Sequence, residues 1–384
     1  MAAEQSSKRH AVCAERVFDG RRWHEQAAVL VEGGRVAGLS SWSDLPDDCA
    51  QERLPSGAML VPGLVDLQAN GGGGVLLNDH PSADGMRAIA TAHRRLGTTA
   101  ILPTLITDTR GQMIVAIEAA REAAGRDGIL GLHLEGPFIS PARPGIHRKD
   151  RISRAEMRDD DVLRRLPAHS MMTLAPECAP PGFIRELVDA GIRVSAGHSE
   201  ASADEMKRAL DEGMTGVTHL FNAMPPMMGR APGIVGTALA EPRLIAGLIV
   251  DGHHVDPVSV RAAFAAKGAD AIALVSDAMP SVGSSDTHFQ LMGRTISLRE
   301  GKLTSEEGTL AGAHLDMAAA VRNTVTLAGI PLEDALRAAT LTPAKFLGIE
   351  SEHGVIASGS HADFVVLSED LKVLSVWTGG ARVS

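Results

Sequence analysis

The sequence predicts an α/β protein: a closed (β/α)₈ barrel carrying a small β-sandwich domain built from the N- and C-terminal segments. Three observations lead there. Eight short apolar runs alternate with longer Ala-, Glu- and Arg-rich segments of helical periodicity. Reactive side chains fall at the ends of several of those runs, where parallel barrels gather their active sites. Both ends of the chain instead read as strands punctuated by Gly and Asp.

The strand-like runs are 59–68, 98–104, 129–135, 171–175, 192–196, 216–219, 244–250 and 271–277, with helices expected at 84–96, 112–124, 202–212 and 257–266. A doubly wound open sheet shows the same alternation, so the strand-end chemistry decides between them. The expected boundaries are 1–58 for the first part of the small domain, 59–347 for the barrel, and 348–384 for the second part, with strands near 363–367 and 373–377. The glycine run 71–74 lacks the Lys-Ser/Thr of a phosphate loop and reads as a flexible loop at the barrel mouth.

Of the 384 residues, 44% are hydrophobic and 22% charged, enough apolar content for a large core. The 37 basic against 47 acidic side chains give a net charge of −10, which argues against a nucleic-acid surface but not against a local anion pocket. Cys13, Cys49 and Cys178 are widely spaced, which suggests neither a disulfide framework nor a thiolate zinc site and suits a reducing cytoplasm. The first eleven residues are polar and unlike a secretory signal, and no run is long enough to span a membrane.

Glu135, His198, His219 and Asp277 each lie at the end of a different run. One carboxylate and two imidazoles form a three-ligand set for a catalytic zinc, which keeps a position open for water and lowers its pKa. Asp277 is then placed to take and return the proton of amide hydrolysis. Any one of these residues alone reads as an ordinary strand-end polar group; four together do not. His133 shares a strand face with Glu135 and reads as a rival ligand, a supporting residue or core. His24-Glu25 lacks the second histidine of a zinc-protease motif, and Met224, Met227 and Met228 read as loop packing.

Longer motifs add to this. Val61-Pro-Gly-Leu-Val-Asp-Leu, His133-Leu-Glu-Gly-Pro-Phe, Thr173-Leu-Ala-Pro-Glu, Gly197-His-Ser, Thr218-His-Leu-Phe-Asn-Ala-Met-Pro-Pro, Gly229-Arg-Ala-Pro-Gly, Asp251-Gly-His-His-Val-Asp, Ser276-Asp-Ala and Gly308-Thr-Leu-Ala-Gly run through nearly the whole chain. Together they resemble the N-acetylglucosamine-6-phosphate deacetylases of the amidohydrolase superfamily. The resemblance implies that Glu135, His198 and His219 hold one divalent ion per subunit, zinc first, with iron, cobalt or manganese compatible. It implies Asp277 as general base and acid, and His147 as the group that polarises the acetyl carbonyl. Ile146, Asn222, Ala223, Arg230, His254, Leu310, Ala311 and Gly312 would contact the sugar phosphate. Arg230 and His254 would reach the neighbouring subunit's site in a homodimer, and the products would feed amino-sugar and cell-wall recycling.

Many superfamily members carry His-x-His after the first strand, where this chain has Gln68-Ala69-Asn70. Neutral amides are poor transition-metal ligands, so a mononuclear centre is expected. The rival substrates are the galactosamine epimer or a cyclic amide. The rival from another class is a non-catalytic barrel, against which all four central residues are present.

Overall fold

The computed structural model describes residues 9–45 and 49–384; most of the polar N-terminal stretch, residues 1–8, and part of the first β segment, residues 46–48, lie outside the described residues. The chain begins with β1 (His10–Phe18), β2 (Trp23–Glu32), β3 (Arg35–Ser41), β4 (Ala50–Arg53) and β5 (Met59–Pro62). Strand β1 pairs antiparallel with β2 and parallel with both β4 and β5. Alternating side chains supply apolar groups to both faces, Val12, Val29, Leu60 and Phe364 in one cluster and Ala11, Cys13, Ala28 and Leu30 in another.

The run 59–68, expected as one strand, is two. At Gly63 the chain leaves β5 for β6 (Leu64–Ala69), the first barrel strand. A Cβ at Gly63 would lie 1.9 Å from Thr99 Oγ1, so only glycine lets the two sheets approach there. A short hairpin follows, β7 (Gly71–Gly72) with β8 (Val75–Leu76). The glycine run expected to be flexible is therefore fixed. Gly73 and Gly74 make its turn at φ 62° and 83°, and the backbone N–H groups of Gly71, Gly73 and Gly74 donate to the carbonyls of Ala278, Val282 and Pro280.

The remaining barrel strands are β9 (Thr98–Ile106), β10 (His133–Glu135), β11 (Met171–Leu174), β12 (Arg193–Ala196), β13 (Gly216–Val217), β14 (Ile245–Leu248) and β15 (Ile272–Leu274). With β6 they form one parallel sheet in sequence order. All nine residues of β9 are buried, as expected of a parallel strand covered on both faces. Beyond β15 the chain closes the barrel against β6: Asp277 N donates to Gln68 O at 2.9 Å, and Ala278 bridges Ala69 in parallel. The four expected helices are present as Ala83–Arg94, Arg110–Ala123, Ala203–Asp211 and Pro257–Lys267. Their N-termini are set by side chains, Ser82, Thr109, Ser202 and Asp256 each accepting a backbone N–H from the first turn.

A feature the sequence reading did not reach is the three-stranded antiparallel sheet of β16 (His288–Leu291), β17 (Arg294–Arg299) and β18 (Lys302–Ser305). Its Leu291, Ile296 and Leu303 pack with Ile106, Ile146 and Met279 beside the barrel mouth. The chain ends in β19 (Phe364–Leu367), β20 (Val373–Thr378) and β21 (Ala381–Arg382). Strand β19 pairs antiparallel with β5, joining both ends of the chain in one eight-stranded sheet. No helix among the described residues is long and apolar enough to cross a membrane.

Candidate metal centre and active site

Glu135 ends β10, while His198, His219 and Asp277 lie two or three residues beyond β12, β13 and β15. All four open at the same end of the barrel. Glu135 Oε1 lies 3.1 Å from His198 Nε2 and 2.9 Å from His219 Nε2, and the two nitrogens are 3.1 Å apart. His198, His219 and Asp277 adopt left-handed φ of 48°, 32° and 48°, a conformation that costs a side chain roughly 1–3 kcal/mol and clusters at functional sites.

The hydrogen bonds around this triangle define its chemistry. His198 Nδ1 donates to the Arg143 carbonyl at 2.8 Å, which leaves Nε2 as the ring atom that faces Glu135. A carboxylate oxygen and two imidazole Nε2 atoms that converge on one point in a buried site are a donor set that fits a divalent transition metal. Burial pushes the Glu135 carboxyl up, but the hydrogen bonds and charge of His198 and His219 outweigh it and hold the group well below its ordinary range. The loop carrying His198 is anchored by Glu177, which accepts from Ser199 Oγ and from Glu200 N, each at 2.7 Å.

Asp277 faces this centre with different surroundings. Burial and the neighbouring Glu135 carboxylate push its pKa up to about 6, against the opposing pull of His219, His254 and Asn70. Gln68 Nε2 donates to both Glu135 Oε2 and Asp277 Oδ1, each at 3.1 Å, and Asn70 Nδ2 donates to Asp277 Oδ1 at 2.7 Å. The amides of β6 and its extension thus present N–H groups, not oxygens, to the two carboxylates.

His147 lies in the loop after β10 with Nδ1 2.7 Å from Thr107 Oγ1. The Thr107 hydroxyl has one proton and two acceptors, His147 Nδ1 and the Glu135 carbonyl at 3.3 Å. Where the hydroxyl points to His147 Nδ1 rather than to the Glu135 carbonyl, the neutral ring carries its proton on Nε2 as a donor. Burial and the adjacent His198 push the His147 pKa down to about 3, so the ring is neutral. Thr107 approaches so closely that a Cβ on Gly136, at φ 87°, would lie 2.1 Å from its hydroxyl. His133 is fully buried within the barrel; its Nε2 is 2.8 Å from Thr173 Oγ1, away from the donor triangle.

A cavity of about 260 Å³ opens over the centre, lined by Glu135, His147, His198, His219 and Asp277, and farther out by Ile146, Asn222, Ala223, His254, Leu310 and Gly312. Three of the residues singled out in the sequence are placed as follows. His254, expected to reach a neighbouring subunit's site, lines the cavity of its own chain. The Asp251 carboxylate accepts the backbone N–H groups of His253 and His254 and the His254 Nδ1–H at 2.7 Å, folding the turn after β14 over the mouth. Ala311 is buried in the apolar cluster with Leu291 and Leu303 and does not line the cavity. Arg230 is exposed at the tip of a turn closed by reciprocal hydrogen bonds between Met228 and Ala231, and it does not line the cavity. Thr107, Arg143 and Met279 were missed by sequence reasoning. Thr107 was legible only as the residue just past a strand end, and Arg143 acts through its carbonyl, which no side-chain pattern reveals.

A parallel barrel with a carboxylate and two imidazoles converging at its strand ends, beside a second carboxylate of raised pKa, defines a hydrolase that works with a divalent metal. The amidohydrolase family profile matches residues 59–383. An N-acetylgalactosamine-6-phosphate deacetylase from Shewanella sp. (strain ANA-3) is 41% identical over 93% of this chain and 91% of its own length. An N-acetylglucosamine-6-phosphate deacetylase from Haemophilus influenzae is 34% identical over 92% and 93%. The crystal structure of N-acetylglucosamine-6-phosphate deacetylase from Pasteurella multocida superposes with a TM-score of 0.93 at 33% identity, covering 98% of this chain and all of that one. The chain belongs to the amidohydrolase family, in the branch of the N-acetylhexosamine-6-phosphate deacetylases.

Proposed function

We propose that this enzyme hydrolyses the acetamide of N-acetyl-D-glucosamine 6-phosphate, releasing acetate and D-glucosamine 6-phosphate. The observation that carries the reading is the convergence of Glu135, His198 and His219 beneath a cavity that Asp277 and His147 also enter. A divalent cation bound by those three residues supplies charge that polarises the acetyl carbonyl and acidifies the attacking water. Asp277 takes the proton of that water and returns it to the amine nitrogen as the C–N bond breaks. The Nε2–H of His147 donates to the acetyl oxygen as negative charge builds on it. Gln68 and Asn70 hold Asp277 in place.

The amide N–H groups of Gln68 and Asn70 also support a mononuclear centre, because they point donors at carboxylates that a second cation would need. Zinc is the first choice for this donor set, with iron, cobalt and manganese as alternatives. Asn222, the Ala223 backbone and His254 are assigned to the phosphate, and Ile146, Leu310 and Gly312 to the sugar. A homodimer in which Arg230 reaches the partner's phosphate is supported by its exposed turn, where Met227 and Met228 are 56% and 60% accessible. A phosphorylated substrate and the free thiols of Cys13, Cys49 and Cys178 support a cytoplasmic enzyme.

The galactosamine epimer is a second reading, favoured by the 41% identity to the Shewanella enzyme against 34% to the Haemophilus one. Acetate release from both 6-phosphates, using metal-stripped enzyme reloaded ion by ion, tests substrate and cofactor together. Turnover of either epimer at a higher kcat/KM identifies the substrate; no acetate from either with any ion overturns the proposal.

A further inference from the structure

A second group of donors lies at the opposite end of the barrel. Glu352, His353 and His361 each present a ligand-type atom, and these atoms lie within 4.8 Å of one another. They border a cavity of about 500 Å³ whose wall includes Thr99, Ile129 and Leu130, at the N-terminal side of barrel strands and therefore across the barrel from Asp277. We propose that Glu352, His353 and His361 form a second, non-catalytic site for a divalent transition-metal ion.

The geometry and the chain path both argue for it. The rings of His353 and His361 stack with centroids 4.7 Å apart and planes inclined by 20°, whereas His198 and His219 stand 4.8 Å apart at 77°, so a shared ion requires one ring to turn. A four-coordinate ion about 2.0–2.2 Å from each donor sets those donors roughly 3.4 Å apart, within reach of small side-chain rotations from the present positions. Glu352 is half exposed and free to make such a rotation; its ion pair with Arg35 is loose, at 3.6 Å, and leaves the second carboxylate oxygen available. Two imidazoles select zinc, copper, nickel or cobalt over magnesium and calcium.

Glu352 and His353 follow the last barrel helix, Leu341–Leu347, whereas His361 precedes β19 of the small sheet and bridges Arg35 at the start of β3. An ion shared among them would fasten the connection between barrel and sheet without touching the reaction.

The test uses tag-free, metal-stripped full-length enzyme titrated with Co²⁺, read by visible absorption, bound-metal stoichiometry and melting temperature. The expected result is two equivalents per chain for the natural enzyme and one for the His353→Gln/His361→Gln variant, which keeps full deacetylase activity but loses part of the Co²⁺-induced rise in Tm. Glu135→Gln should instead lose the catalytic ion and retain the other. Equal stoichiometry and equal Tm response in the natural and double-variant enzymes would overturn the proposal. Should the double variant fail to fold, Glu352→Ala must weaken the second binding event at least tenfold, and unchanged affinity there would equally refute the site. Because stoichiometry is read without substrate, this outcome is independent of the deacetylase assignment.

Discussion

Asp277, half-buried, and Glu135, fully buried, are carboxylates at barrel strand ends, yet their surroundings drive them apart. Two imidazoles hold Glu135 ionised, whereas burial and Glu135 itself raise Asp277 to about 6. The Asp277→Asn enzyme should retain its metal and bind substrate while kcat falls by about 10²–10⁴-fold, the usual contribution of a positioned base. Single-turnover acetate release beside a metal count checks this, and near-normal kcat sinks the role. A base must be unprotonated, and a carboxyl whose pKa is raised is protonated at higher pH than usual. The rate should therefore fall as pH drops through the Asp277 pKa. A bound cation favours the ionised form, so in the loaded enzyme the acid limb of the kcat profile should lie below pH 6. In metal-free protein, the carbon-13 shift of the Asp277 carboxyl should titrate near 6, and should move to lower pH on loading.

At the level of elements, the site rests on short segments just past the strands, and each is fastened by something other than the strand. The His198 loop depends on Glu177, far from the reaction but bonded to Ser199 and Glu200. Glu177→Ala should weaken metal binding by about 10–100-fold, as loss of an orienting partner commonly does. Competition against a chelator measures that directly; unchanged affinity would show that the loop holds itself. This scale also explains what the sequence could and could not tell. Alternating runs marked the barrel strands because strands covered on both faces are continuously apolar, and the four helices because one-sided burial imposes a period of 3.6 on side chains. Glu135, His198, His219 and Asp277 stood out because parallel strands bring their ends together. Whether the run 59–68 was one strand or two depended on a contact between Gly63 and Thr99, and β16 to β18 were hidden because their side chains are mixed in polarity and partly exposed. The inward turn of His254 depended on Asp251, a local bond that no periodicity encodes.

Across the whole molecule, one chain brings Glu135, His198, His219 and Asp277 to a single cavity, while Arg230 stands outside on its exposed turn beside Met227 and Met228. If the proposed homodimer forms through this turn, Met227→Lys together with Met228→Lys should shift the sedimentation of the enzyme from dimer to monomer and raise KM for the phosphorylated sugar with a smaller change in kcat. Arg230→Ala should raise KM in the same way while leaving the dimer intact. A monomeric natural enzyme, or an Arg230→Ala variant with unchanged KM, would place the phosphate contacts wholly within one chain.

The barrel closes where Asp277 N donates to Gln68 O, and the same two residues join their side chains in the active site. The seam of the cylinder and the proposed machinery for proton transfer are thus a single piece of structure, and a breathing motion that parted the first and eighth strands should disarm the enzyme while leaving its helices intact. Deuterium uptake at the Asp277 amide should rise in step with lost activity on gentle heating, ahead of any change in far-ultraviolet circular dichroism. If that amide remained protected after activity had gone, the weak point would lie elsewhere in the cylinder.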